Sequence, residues 1–367
     1  MRTMTSTFLA AGLSIAALTL SLASAHAVGL QQCATNGSAL GVSRIVEIDT
    51  STGALFGAIS TQVREARFLA PKEVVLTFDD GPMPPVTRSI LDTLDRFCTK
   101  ATFFSVGKMA LAYPGTVKSI LERGHTLGTH TWSHPLTLRR LSLEKSNEEI
   151  EKGFAAVTLA AGEPIAPFFR FPGLSDSAPM LKHLQQRGIA AFTVDAVSND
   201  SYISDPDRLL ANALKEIEAQ KGGIVLFHDI KPATARMLPK FLTELQKRGF
   251  TIVHMRAKSH VEPSPEYAAK LAPLLAKSEK TAAAPGLVPF YGLVKPGELA
   301  HGDTLPVTEI APAVRIRATS TAHVVASKTA PSKTAVRGWS ARAGDGAPVT
   351  GPTFTPGLWG TVVAPDR

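Results

Sequence analysis

Between residues 71 and 256 the chain alternates short apolar runs with longer helical patterns, and this alternation restricts the fold more than any other feature. The runs are Val74–Thr77, Thr102–Val106, Thr126–Thr129, Pro167–Arg170, Ala190–Val194, Ile224–Phe227 and Thr251–His254. Each is rich in β-branched or aromatic residues and too short to be a helix, so each reads as a buried strand. Helical patterns separate them, at Val86–Phe97, Lys108–Arg123, Leu143–Ala161, Ala178–Arg187, Asp207–Ala219 and Ala233–Arg248. Asp205-Pro206 supplies a capping carboxylate and a first-turn proline for the fifth helix. Gly124, Gly188 and Gly249 each follow an Arg at a helix end, where a C-terminal cap needs a left-handed residue. Strands alternating with helices predict an α/β fold with a parallel sheet, and at this length the sheet can close into a barrel.

The flanks read differently. Residues 28–70 have weak periodicity and form a lead-in. Residues 257–367 are rich in Ala, Pro, Thr, Ser and Lys and poor in aromatics. Such a composition buries too little apolar surface to offset its ordering entropy, which predicts a disordered tail with a short helix near Glu266–Leu275. At the start, Arg2, an apolar run from about Phe8 to Ala23, and Ser24-Ala25-His26-Ala27 make up the parts of a secretory signal peptide over 1–27, with an uncleaved anchor as the competing reading. Export places the mature chain in a periplasmic or extracellular space, where Cys33 and Cys98 either pair or remain unrelated thiols. No other segment is apolar enough to span a membrane. The net charge is +8, and from residue 311 onward seven basic residues face two acidic ones. That tail is either simply solvated or in weak contact with anionic envelope polymers. No nucleic-acid-binding motif is present.

Function in such a fold gathers at the carboxyl ends of the strands. The first strand ends in Thr77-Phe78-Asp79-Asp80-Gly81-Pro82, where two adjacent carboxylates repel unless a cation or donor relieves them. The third ends in His130-Thr131-Trp132-Ser133-His134-Pro135, and two His four apart on a helical turn can reach one ion. The fourth ends in Phe169-Arg170-Phe171-Pro172-Gly173 and the sixth in Leu226-Phe227-His228-Asp229. Taken singly, each pattern could be a polar turn, a surface His pair, a salt-bridge Arg or a stray His. Together they supply what metal-assisted amide hydrolysis requires. His125 and His183 lack comparable neighbours in sequence and read as structural or exposed.

Over residues 71–256 the sequence resembles the polysaccharide deacetylase family, also called the NodB-homology domain or carbohydrate esterase family four. The matching motifs are TFDDG at Thr77–Gly81, H(S/T)xxH at His130–His134, R-x-P at Arg170–Pro172 and L-x-H at Leu226–His228. The resemblance implies a distorted (β/α)7-type barrel that removes N-acetyl groups from an N-acetylated glycan such as chitin oligomers or peptidoglycan. It implies a divalent metal ion, usually zinc, with cobalt or nickel as alternatives, on Asp80, His130 and His134. It casts Asp79 as general base, Arg170 as its partner, His228 as general acid, and a backbone N–H near Pro172 and Gly173 as oxyanion donor. Leu226 would face the acetyl methyl. Two positions depart from the family pattern. Gly173-Leu174 stand where a Tyr is common, and Ser201, followed by Tyr202, stands where the fourth motif has Trp. Asp200 best matches the Asp beside that Trp and Asp195 is the alternative; one of them should orient His228. Competing expectations are a degenerate glycan-binding module, and a deacetylase acting on O-acetyl esters or a non-sugar amide.

Overall fold

The computed structural model describes Cys33, residues 39–65 and residues 67–283. The signal peptide expected over 1–27 and the basic tail beyond residue 311 lie outside the described residues. All seven expected runs are strands: β3 (Glu73–Asp79), β4 (Thr102–Ser105), β5 (Thr126–Thr129), β6 (Phe168–Phe169), β7 (Ala190–Phe192), β9 (Gly223–His228) and β10 (Thr251–Ala257). Three more are β1 (Arg44–Ile48), β2 (Leu55–Phe56) and β8 (Ala196–Val197). Parallel pairing runs without interruption through β8, β9, β3, β4, β5, β6 and β7. The two ends of that run, β7 and β8, are consecutive in the chain, yet among the described residues no ladder joins them. The barrel is therefore unzipped at this seam. β2 covers it by pairing with β7, and the amides of Thr193 and Ala58 bond the carbonyls of Phe56 and Val194. β10 pairs with the first residues of β3 and with β1 rather than taking a full place in the ring.

Alternate residues along each strand divide into two cores, as period-two geometry requires. Val74, Leu76, Phe78, Phe103, Leu127, Phe169, Val225 and Phe227 face outward against the helices. Val75, Phe104, Phe168, Phe192, Ile224 and Leu226 face inward and fill the barrel. Asp79 and His228 lie on the inward face two residues beyond Thr77 and Leu226, at the strand ends, so the pleat that buries Val75 and Ile224 also aims these polar groups into the barrel mouth.

The helices are α1 (Pro84–Arg96), α2 (Gly107–Ala112), α3 (Pro114–Glu122), α4 (Leu143–Ala161), α5 (Ala178–Arg187), α6 (Pro206–Ala219), α7 (Pro232–Lys247) and α8 (Pro265–Ala283). Asp205 caps α6 by accepting the Arg208 N–H at 2.8 Å, as its sequence predicts. The single helix expected over Lys108–Arg123 is two, because Pro114 cannot donate and holds Tyr113 out of helical geometry at φ −131°. The lead-in is not featureless, since it contributes β1 and β2. The short helix expected near Glu266–Leu275 is the longer α8, which lays Leu271, Tyr267 and Leu275 on the outer core, and Ser278 Oγ donates to the Ala112 carbonyl at 3.2 Å. Cys33 and Cys98 are disulfide-bonded with Cα atoms 5.5 Å apart, so the paired alternative holds. Among the described residues no helix is long and apolar enough to cross a membrane.

Candidate active site

Asp79 and Asp80 sit where β3 leaves the barrel, and the turn that follows is held by a residue to which the sequence reading gave no role. Asp229, next to His228 and buried, accepts the Gly81 N–H at 3.0 Å and the Thr87 hydroxyl at 2.7 Å. The approach is so close that a Cβ on Gly81 would lie 2.0 Å from an Asp229 carboxylate oxygen, which explains the glycine of the DDG motif. Burial raises the Asp229 carboxyl to about 7 despite the Thr87 bond. The available signal was a second acid immediately after a strand-end His.

Asp80 adopts φ 77°, a conformation that costs a non-glycine residue free energy and that tends to persist where the surroundings enforce it. The His130–His134 segment was expected to be a helical turn. It is an irregular loop instead, with Thr131 and His134 at φ 67° and 58°. Glu149 of α4 holds it, accepting the Ser133 N–H and hydroxyl at 2.8 Å each, while the Glu149 carbonyl takes the Trp132 N–H. α4 can approach because Gly153 has no side chain: a Cβ there would meet the Thr131 backbone at 2.5 Å. The imidazoles nevertheless converge, their ring centroids 4.8 Å apart.

The three expected metal ligands meet, with one donor atom each from Asp80, His130 and His134 all within 4.8 Å of one another. His130 Nδ1 lies 2.7 Å from the Arg170 carbonyl. A carbonyl only accepts, so Nδ1 carries the proton and Nε2 presents a lone pair inward. Burial, followed by the charge of His134, pushes His130 well below the ordinary histidine range and keeps it neutral. Asp80 Oδ1 stands 3.1 Å from His134 Nε2 and 3.5 Å from His130 Nε2, and it is buried without a hydrogen-bond partner. Orphaned buried carboxylate oxygens are costly. One facing imidazole lone pairs fits a divalent cation, which would satisfy all three groups at once.

Two acid–base pairs flank this triad. Arg170 is fully buried inside the barrel. Its guanidinium donates to Asp79 Oδ1 at 2.7 Å, to Thr77 Oγ1 at 2.8 Å and to the carbonyls of Phe192 and Thr193 at 3.1 and 3.3 Å, so it also ties β3 to the unzipped seam. Its face lies 4.2 Å from the Phe104 ring centroid. Desolvation outweighs Arg170 and raises Asp79 to about 6. On the other side, His228 Nδ1 donates to Asp200 Oδ1 at 2.7 Å, and its Nε2 faces Asp80 Oδ2 at 3.9 Å. Burial works against the imidazolium, but Asp200 and the paired aspartates prevail and raise His228 to about 9.

Asp195, the alternative to Asp200, is at the wrong end of β9. Its Oδ2 accepts the Ile224 N–H at 2.8 Å and packs over Gly223, one strand length from His228. Leu226 is on the inner face below His228 and 8% exposed. Pro172 and Gly173 follow β6 in a short 3-10 turn, Gly173 at φ 59°. Ser201 Oγ is 3.5 Å from His228 Nδ1, while Tyr202 points into solvent at 75% exposure, so a serine hydroxyl and not an aromatic ring lies beside His228 from this segment. Neither His125 nor His183 reaches the site: the first is buried and accepts the Ala101 N–H, the second pairs with Glu151 at 2.8 Å.

A family profile described as polysaccharide deacetylase matches residues 68–192. A Bacillus cereus peptidoglycan-N-acetylglucosamine deacetylase is 32% identical over 187 residues, 50% of this chain and 85% of that protein. This chain belongs to the polysaccharide deacetylase family. A solved peptidoglycan deacetylase of Bdellovibrio bacteriovorus matches at TM-score 0.55 and 30% identity, over 66% of this chain and 70% of that one. A Listeria monocytogenes peptidoglycan-N-acetylglucosamine deacetylase is 29% identical over 211 residues, 57% of this chain and 44% of that protein. The chain thus spans less than half the length of the Listeria relative.

Proposed function

We propose that this chain is a metal-dependent hydrolase that removes N-acetyl groups from an amino-sugar polysaccharide or oligosaccharide. The observation that carries this reading is the orphaned, buried Asp80 Oδ1 among His130 and His134, flanked on one side by Asp79–Arg170 and on the other by His228–Asp200. A divalent ion held by Asp80, His130 and His134, zinc in the usual case with cobalt or nickel as alternatives, would supply Lewis acidity toward the amide carbonyl and lower the pKa of water.

The chain's own groups do the rest. Asp79 takes a proton from the attacking water, and Arg170 holds the carboxylate in place for it. As water adds to the acetamide carbon and the carbon–nitrogen bond breaks, His228 gives its proton to the departing sugar amine from the Nε2 side, leaving acetate. Asp200 orients His228 and favours its protonated form. Leu226 floors the site against the acetyl methyl, and the backbone at Pro172–Gly173 borders the developing oxyanion. The relatives named for action on peptidoglycan support a cell-wall glycan as substrate, and a chitooligosaccharide deacetylase of Bradyrhizobium, 29% identical over 88% of its own length, supports a chitin-type oligomer. Export into an oxidising periplasmic or extracellular space suits the Cys33–Cys98 disulfide.

The exposed Tyr202 and the serine at 201 favour a second reading, a module that holds glycan without turning it over. One experiment separates the two: acetate release from chitin oligomers and from peptidoglycan, after chelation and after zinc or cobalt is returned. Metal-dependent release is expected. Bound metal with no release from either polymer would favour the binding module.

A further inference from the structure

In the loops that follow His134 and Gly173, a cleft of about 470 Å³ is lined by Leu136, Thr137, Arg139, Arg140 and Ser175. Its walls come from the two loops that border the site, since Leu136 follows His134 by two residues and Ser175 follows Gly173 by two. They meet directly: a Cβ on Gly173 would lie 3.9 Å from Leu136 Cδ2. Leu136 is 71% exposed, an unusual state for a leucine at the mouth of a barrel, and it offers an apolar ledge on which the face of a sugar ring can rest.

The two arginines carry the chemistry. They are adjacent in a single 3-10 turn (Leu138–Arg140) and both are exposed. Like charges placed side by side repel, and while several arginines elsewhere pair with acids (Arg44 with Glu73, Arg123 with Asp92 and Asp95, Arg187 with Glu151, Arg248 with Glu218 and Glu244) and others among the described residues do not, Arg139 and Arg140 are adjacent to one another and line a cleft. Among the described residues neither Arg139 nor Arg140 has an ion pair or a side-chain hydrogen bond. The acid that feels Arg139, Asp176, is buried and already engaged with the Ser60 hydroxyl at 2.6 Å. Two unpaired guanidinium forks at the rim of a site suit an anionic oxygen pair on a bound polymer.

We propose that this cleft is a subsite for a carboxylate carried by the glycan, so that the substrate class is an acidic amino-sugar polymer rather than a neutral one. The inference rests on the deacetylase reading only for where the sugar chain lies; the cleft's charge and its free arginines stand independently of turnover. A ring seated on Leu136 with its carboxylate between Arg139 and Arg140 leaves the neighbouring ring over the Asp80–His130–His134 triad. A carboxylate on the sugar itself and one on an attached peptide share this chemistry, and the test distinguishes them.

The test uses zinc-loaded full chain and four polymers: chitin oligomers, intact peptide-bearing peptidoglycan strands, strands stripped of peptide so that only the lactyl carboxylate remains, and the stripped strands with that carboxylate reduced to an alcohol. The readouts are kcat/KM for acetate release and, separately, binding by calorimetry. Expected is a preference for the carboxylate strands over the reduced ones. In R139A and R140A that ratio should fall about five- to tenfold, through KM, and it should weaken as salt is raised. Intact peptide-bearing strands preferred over stripped ones would assign the carboxylate to the peptide. Equal kcat/KM on carboxylate and reduced strands, or a ratio unmoved in both variants, would overturn the subsite while leaving the deacetylase reading intact. If no polymer yields acetate yet calorimetry shows an arginine-dependent preference for the carboxylate strands, the subsite stands and the deacetylase reading falls.

Discussion

Asp79 and Asp200 are both buried carboxylates at the barrel mouth, each joined to one cationic side chain at 2.7 Å, yet their protonation is driven in opposite directions. Burial alone would raise both. For Asp79 it prevails, because Arg170 gives it a single hydrogen bond and spends its other donors on Thr77, Phe192 and Thr193; Asp79 rises to about 6. For Asp200 burial loses. Both the ring and the backbone N–H of His228 donate to it, as does the Thr234 hydroxyl, all at 2.7 Å, and its pKa is lowered. The lesson is that the number of donors on the carboxylate, more than the presence of an opposite charge, decides which aspartate can accept a proton. One aspartate is left able to act as a base near neutral pH. The other remains ionised and favours a proton on His228, which sets the proposed base and the proposed acid on opposite sides of the site.

Three substitutions break or sharpen this contrast. The largest effect is expected from Asp79→Asn, which removes the proton acceptor but none of the groups proposed to hold the ion. Turnover should fall on the order of 10³-fold with metal content unchanged, measured by acetate release alongside elemental analysis. Loss of the metal would show that Asp79 and Asp80 have been given each other's roles.

Next is Asp200→Asn. Its carboxylate favours the charged imidazole, so removing it lowers the His228 pKa from about 9 toward the ordinary value. The alkaline limb of the pH–rate profile should move to lower pH and turnover should fall on the order of 10²-fold. A cation beside His228 lowers its pKa in both forms, so the shift between them survives. The same group sets a stability trend. A histidine with a raised folded pKa stabilises fully below its unfolded value near 6.5 and loses that contribution as pH rises through about 9. The metal-free wild type should therefore lose thermal stability over that window, and Asp200→Asn should flatten the slope. An unchanged alkaline limb would break the pairing of Asp200 with His228.

The smallest effect belongs to Asp195→Asn. Asp195 is bonded to the Ile224 amide at the opposite end of β9, so its loss should cost about 1 kcal/mol of stability in denaturant titration and leave the pH–rate profile in place. A displaced alkaline limb here would return Asp195 to the role given to Asp200.

The contrast between Asp195 and Asp200 also marks where sequence reasoning stops. Strand ends with unusual polar residues were visible because they follow dense apolar runs, and all seven runs became strands. β2 and β8 were not visible, because two residues carry no period. Without β8 the length of the connection between β7 and β9 could not be resolved, and Asp195 stayed open as an alternative to the better-matching Asp200 five residues on. Arg170 carries the same difficulty: in sequence it resembles a surface salt-bridge residue, whereas its several bonds depend on a seam between β7 and β8 that only the folded barrel creates. α8 was visible only as a short helix near Glu266–Leu275, for another reason. Its Ala- and Lys-rich composition matches a disordered tail, and only Leu271 and its neighbours, meeting the outer core, stabilise it as a helix.

The most direct test compares wild type with Asp80→Ala for bound divalent metal and acetate release on the same glycan. About one ion per chain and chelator-sensitive release are expected for the wild type, with both lost in the variant, because Asp80 is the proposed anionic ligand of the triad. Full turnover by Asp80→Ala, or by a wild type stripped of metal, would contradict the proposed centre.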